Sequence, residues 1–428
     1  MRKLVFPWIA FSAALALSAA LLVAGCGPGQ VKPPARRLED ASLDPQAVLS
    51  SIHMVSESTG WALSGNSLLW TVDGGRCWED VTPPGAQSAD RGIEARFLDP
   101  MTGWVVAVRD GEPMVTVFTT ADGGLTWRGV EVVKKTGGGL IYGASLAFVD
   151  LKHGWLMIEP EHGMSSRPGE LYATSDGGEH WSLVSSTSAT RDKNGDEKGR
   201  LPFGGPFGFR DVSAGWLAGR LGAGFTPDHP LYISLDGGRT WQPQDLALPS
   251  GYSDGRLDVV SAPVFFPPQH LDGLLTATLV PASHKATEYA TVIYVTRDGG
   301  RTWQSLPPIR PEAIVEFIDA RNGWTWRQEP RDSGSTAPVK GCLYRTVDGG
   351  RSWAEIAPDE ALGKLLQDGY AVEQVDFVTE KAGWILLSVP RLLPKSPEHP
   401  NPRATVLLRT VNGGYTWSPI EPQLVRKP

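Results

Sequence analysis

The sequence predicts an all-β fold, a seven-bladed β-propeller of four-stranded antiparallel blades, each with an Asp-Gly-Gly hairpin between strands C and D. Three observations carry that prediction. An eight-residue word recurs seven times, a Gly-Trp dipeptide precedes it in six of the seven units, and successive words are 49, 54, 60, 62, 50 and 64 residues apart, the spacing of blades with loop insertions. Composition agrees with a turn-rich folded chain: Gly 49 and Pro 35 in 428 residues, 41% hydrophobic and only 20% charged. Sixteen Trp against six Met and three Cys require an element that places Trp repeatedly.

The chain opens with Arg2 and Lys3, then an uncharged stretch from Leu4 to Ala24, and then Val23-Ala24-Gly25-Cys26. Residues 1–25 therefore read as an export signal, and the closing tetrapeptide resembles the bacterial lipobox, whose Cys is acylated, so Cys26 is the expected lipid-attachment residue. The competing reading is an uncleaved membrane helix, since 21 uncharged residues nearly span a bilayer. Residues 26–47, with Gly27-Pro28-Gly29 and Pro33-Pro34, read as a semi-extended tether. The propeller then occupies residues 48–428. The net charge of −7 becomes −9 once Arg2 and Lys3 depart with the signal, which excludes a general nucleic-acid binder. With Cys26 assigned to lipid, Cys77 and Cys342 fall in non-adjacent units and are expected as buried free thiols rather than a disulfide.

The repeated word runs from Thr71-Val-Asp73-Gly-Gly75-Arg-Cys-Trp78 through the copies centred on Asp122, Asp176, Asp236, Asp298 and Asp348, with Trp127, Trp181, Trp241, Trp303 and Trp353, to Thr410-Val-Asn412-Gly-Gly414-Tyr-Thr-Trp417. Each is a hairpin with a mechanism: the carboxylate accepts nearby backbone N–H groups, the glycines take positive φ, and the Ser/Thr closes strand C. Asn412 keeps the acceptor and loses the charge. Strand A ends in an aromatic such as Phe97, Phe148, Phe209 or Phe317, an Asp follows two residues later, and strand B starts at the Gly-Trp. The fifth unit departs, with Leu274 where the others carry Trp. The two words hold 13 of the 16 Trp, which reads them as packing residues between blades that cannot bury both faces alone.

The Ser/Thr-x-Asp-x-Gly-x-x-Trp word is the Asp-box, or bacterial neuraminidase repeat, and the full unit resembles the propellers similar to the photosystem II assembly and stability factor. That resemblance implies a non-enzymatic assembly protein on the outer side of a membrane, and nothing in the chain indicates photosynthesis; the propeller itself is expected to be monomeric. Other Asp-box propellers are glycan-active, so a carbohydrate-binding or sialidase-like surface protein is the alternative to a protein-binding scaffold. Against a sialidase stands the missing early Arg-Ile-Pro element, for which Arg200-Leu-Pro is the nearest sequence. Nucleophile elbows, His-Glu-x-x-His helices and phosphate loops are also missing, so the expectation is no enzyme and no cofactor.

Strand direction places the long B–C and D–A connections on one face, which is therefore the expected binding face. On it, Asp192, Asn194 and Asp196 alternate like calcium ligands, but Glu197 stands where that loop needs Gly and Phe203 where it needs Glu, which reads as a solvated turn. His162, His229, His284 and His399 lie in separate loops and are not paired as metal ligands. The discriminating observation is the propeller axis: a central cluster of Arg and carboxylates favours the glycan reading.

Overall fold

The computed structural model describes residues 43–45, 48–109, 114–134, 140–161, 167–188, 199–219, 229–259, 261–282, 288–329, 338–388 and 405–425. Seven small antiparallel sheets succeed one another along the chain, each starting with its innermost strand. In blade 1 the strands are A Ser51–Met54, B Gly60–Ser64, C Ser67–Thr71 and D Cys77–Asp80. Blade 2 runs Ile93–Phe97, Gly103–Arg109, Met114–Thr120 and Arg128–Lys134, and blade 6 runs Ala313–Phe317, Gly323–Gln328, Gly341–Thr346 and Ala354–Ile356. Strand A of blade 5 is split into Arg256–Val259 and Val264–Phe265, both paired with its strand B, Gly273–Val280.

The spacing between the strand A aromatic and the strand B glycine has a steric cause. Phe97 pairs directly with Gly103, and a Cβ on Gly103 would meet the Phe97 ring at 2.3 Å. The same contact recurs at 2.4 Å between Gly154 and Phe148 and between Gly383 and Phe377. Only glycine lets the ring lie flat across its own hairpin. The intervening Asp99 closes the turn by accepting the N–H groups of Met101 at 2.7 Å and Thr102 at 2.8 Å.

Each Asp-box is a closed hydrogen-bonded unit. In blade 1, Thr71 Oγ1 donates to Asp73 Oδ1 (2.9 Å) and accepts from Gly75 N (3.0 Å), while Asp73 Oδ1 accepts from Arg76 N and Cys77 N, both at 3.0 Å. Gly74 and Gly75 sit at φ 78° and 95°, in the left-handed region that a side chain would strain. Asn412 reproduces the geometry through Thr410 Oγ1 (2.9 Å) and Thr416 N (3.0 Å).

The ring closes at blade 1. The C-terminal strand Gln423–Val425 pairs in parallel with strand D of that blade and in turn receives Leu43–Pro45 from the stretch read as a tether, giving a six-stranded sheet. Helix Glu360–Gln367 fills the connection from blade 6 to blade 7, buries Leu362 and Leu366, and is capped by Asp359, which accepts from Leu362 N at 3.0 Å and from Trp417 N at 2.7 Å. The connection read as a loop thus holds a helix, because Asp359 offers a cap and apolar residues recur four apart. Cys77 and Cys342 are unbridged, as expected, but half-buried rather than buried. Burial pushes both thiols up, and the carboxylates of Asp73 and Glu355 respectively add to the shift. Among the described residues no helix is long and apolar enough to cross a membrane.

Candidate functional site at the propeller axis

The innermost strands form the wall of the axis, blade 2 against blade 3, blade 6 against blade 7 and blade 7 against blade 1. Alternation along a strand sends the terminal aromatic back toward the preceding blade and the residue before it toward the next. Around the ring that preceding position is His53, Arg96, Ala147, Gly208, Val264, Glu316 and Asp376. Blades 6, 7, 1 and 2 are therefore ionisable there, and blades 3, 4 and 5 are small or apolar. Two residues earlier stand Gln374, Ser51, Glu94 and Ser145 on blades 7, 1, 2 and 3.

These side chains bond across the blades. Met54 N donates to Asp376 Oδ2 at 2.7 Å, and Gln374 both accepts from Ile52 N (3.0 Å) and donates to Ile52 O (2.5 Å), joining blade 7 to blade 1. Glu94 Oε1 accepts from Leu146 N at 3.0 Å, joining blade 2 to blade 3. The Ser51 hydroxyl is buried and finds no partner among the described residues.

Low dielectric and neighbouring charge set the protonation states. Burial pushes the Asp376 carboxyl up to about 7 against the opposing pull of the Met54 N–H. Burial and then the Asp376 charge hold Glu316 well above the ordinary carboxylate range. His53, stacked on Trp61 with centroids 4.0 Å apart, is driven down to about 3 by burial and by Arg96, so its imidazole is neutral. Burial raises Glu94, which Leu146 N–H and Arg96 partly offset and Glu159 augments, and burial lowers Arg96, which Glu94 partly restores. Asp376, Glu316 and His53 are buried, whereas Glu94, Arg96 and Gln374 are half-buried. The wall thus combines buried acids raised by their surroundings on blades 6 and 7 with a guanidinium and a carboxyl on blade 2, groups suited to proton exchange and bidentate hydrogen bonding.

Sequence reasoning named the discriminating cluster but none of its members. The signal was available: reading the residue before each strand A aromatic across seven blades exposes four ionisable side chains in what should be a strand interior. The box residues, by contrast, lie in the C–D turns at the outer side of each blade, each Asp bound within its own turn. Asp192, Asn194 and Asp196, His162, His284, His399 and Cys26 lie outside the described residues. His229 Nδ1 faces Asp245 at 3.5 Å, and among the described residues no group of His, Cys, Asp and Glu could hold a metal ion. Much of the elaborated face, including all of Pro390 to Arg403, also lies outside them.

The BNR/Asp-box repeat model matches residues 232–243, the blade 4 hairpin, and the chain is a seven-bladed Asp-box propeller. No curated protein matches the sequence. Among solved structures the chain is similar to the polysaccharide lyase Uly1 (10% identity, 85% of this chain and 89% of that one, TM-score 0.45). It is also similar to a Penicillium chrysogenum α-L-arabinanase (13%, 62% and 77%, 0.33) and to the six-bladed Aleuria aurantia lectin (10%, 71% and 92%, 0.36). With every TM-score under 0.5, the propeller fold of this chain rests on its own seven sheets. The expectation of a non-enzyme is corrected on this point: the similar propellers include lyases, an arabinanase, an α-L-arabinofuranosidase of Fusarium graminearum and a sialidase. That fold carries glycan-cleaving sites, so it gives no ground for excluding one here.

Proposed function

We propose that this protein is a lipid-anchored, extracytoplasmic propeller that binds a glycan at its axis and acts on it. One observation carries the reading: the run of Glu316, Asp376, His53, Arg96 and Glu94 on blades 6, 7, 1 and 2, set against Ala147, Gly208 and Val264 opposite. Vicinal hydroxyls and ring oxygens are recognised by guanidinium and carboxylate groups, and the half-buried Arg96 and Glu94 are one of each. On blade 7 the same wall carries Asp376, an acid that burial pushes up to about 7, the range suited to general acid–base work at neutral pH. Cys26 and the stretch after it support attachment to the outer side of a membrane.

The test is a glycan array probed with the detergent-solubilised full chain, followed by product analysis on whichever glycans bind. Arg96→Ala and Glu94→Gln are expected to weaken binding at least about tenfold, the scale of one lost charge-assisted hydrogen bond. Asp376→Asn is expected to spare binding and lower turnover. Absence of any glycan ligand, together with capture of a protein partner, would return the scaffold reading to first place.

A further inference from the structure

Four blade junctions share one arrangement. The strand B indole donates to the carbonyl of the first box glycine of the next blade: Trp104 to Gly177 at 2.8 Å, Trp155 to Gly237 at 3.0 Å, Trp324 to Gly413 at 3.1 Å and Trp384 to Gly74 at 3.0 Å. In three of these four the indole also lies flat on the next blade's strand A Phe, with centroids 3.6 to 3.8 Å apart. On blades 6 and 7 an arginine then covers the indole, Arg345 over Trp324 and Arg409 over Trp384. At the junction of blades 4 and 5 the contact is divided: Gln244 accepts from Trp216 and donates to the second box glycine, Gly300 O, at 2.7 Å, while Arg210 donates to the first, Gly299 O.

Between blades 5 and 6 this filling is missing. Leu274 stands for the indole and Val295 for the covering arginine, and among the described residues no donor reaches Gly349 O. A cavity of about 450 Å³ opens there, floored by Leu274, Val295 and Phe317. Arg297, Arg321 and Arg351 line it, one from each of three turns, all exposed. None forms an ion pair among the described residues: Arg351 donates to Asp348 O and Arg321 to Val347 O. Two carboxylates, Asp272 and Asp348, share the lining, but Asp348 is consumed by its own hairpin, accepting from Ser352 Oγ and Thr346 Oγ1. The larger cavity, about 520 Å³ at the seam of blades 7 and 1, keeps its indole Trp384 in place and mixes Asp73 and Glu421 with Arg76 and Arg409.

We infer that the blade 5/6 cavity is a binding site for a small aromatic carboxylate, the ring occupying the space left by the absent indole and the carboxylate meeting the arginines. The ring belongs there because six other junctions fill the equivalent region with tryptophan, and the acid belongs there because three guanidiniums converge without a carboxylate bound to them. A ring N–H has a ready acceptor in Gly349 O. The inference is independent of the axial site.

Indole-3-acetate, titrated calorimetrically into the full chain, is expected to bind with one site per molecule. Indole-3-acetamide, which keeps the ring and loses the charge, is expected to bind at least about tenfold more weakly, as is the acid to the triple variant Arg297→Ser, Arg321→Ser, Arg351→Ser. Leu274→Trp is expected to restore the common junction and abolish binding while the melting temperature stays at or above wild type. The inference is overturned if indole-3-acetate does not bind, or if it binds the triple variant as tightly as wild type. Should Leu274→Trp fail to fold, the triple variant, whose changes are all at the surface, decides alone.

Discussion

The junctions of blades 6 and 7 and of blades 5 and 6 are built from the same strands and the same hairpins, yet one is sealed and the other open. Trp324 lies flat on Phe377 at 3.8 Å, whereas Phe317 clusters with Leu274, Phe266 and Leu306 of the blade before it and meets Trp353 edge-on from its own. The Asp-box on blade 6 is nonetheless as complete as the one on blade 7, with Thr346 and Asp348 making the contacts that Thr410 and Asn412 make. The hairpin word is therefore a local device that holds its own turn, and the tryptophan is the device that joins blades. Losing the second leaves the first intact.

The largest effect should come from breaking the sealed junction. Trp324→Ala is expected to cost on the order of 3 to 5 kcal/mol, and Leu274→Ala, beside an existing cavity, about 2 kcal/mol, in equilibrium denaturation. Equal losses would mean that the indole adds nothing to the junction.

A second contrast concerns the closing seam, where polar groups replace the aromatic stack: Met54 stands at the Phe position, and Asp376 bonds its N–H. Asp376 has a folded pKa of about 7, above the ordinary carboxylate value of about 4. A raised acid is most compatible with the fold while protonated, so its contribution is full below about pH 4 and lost as pH rises toward 7. Asp376→Asn should therefore match wild type at pH 4 and exceed it in stability at pH 8. His53, lowered to about 3, acts in the opposite sense between pH 6.5 and 3, which is why the informative quantity is the difference between the two proteins at each pH.

The smallest effect belongs to the hairpin itself. Partial burial pushes the Asp348 carboxyl up, but the bonds from Ser352 and Thr346 prevail and hold it down to about 2. Asp348→Asn, the change nature made at position 412, should cost less than about 1 kcal/mol at pH 7 in so exposed a site, and the difference should vanish as pH falls from about 4 toward 2. A larger loss would show that the charge, rather than the acceptor geometry, holds the turn.

The repeats were legible because they are repeats. All seven B strands start at the glycine of the Gly-Trp or Gly-Leu pair, and the absent Trp at Leu274 was visible as a break in register. The cavity it leaves was not, since it depends on which side chains of two blades converge. Gln423–Val425 escaped notice because three residues show no periodicity, and their partner strand is more than 340 positions away. The axial residues were hidden for the converse reason. A periodic search keeps what recurs, and His53, Arg96, Glu316 and Asp376 are the positions at which each blade differs.

The clasp of Leu43–Pro45 on Gln423–Val425 bears on how such a chain can be rearranged. The two strands lie side by side on one sheet, so in a chain trimmed to residues 43–425 a short linker would join them and make a circle of seven blades. Cutting that circle at another inter-blade connection would yield a circular permutant with the same hydrogen-bond ladders. The position of the seam is thus separable from the architecture it closes.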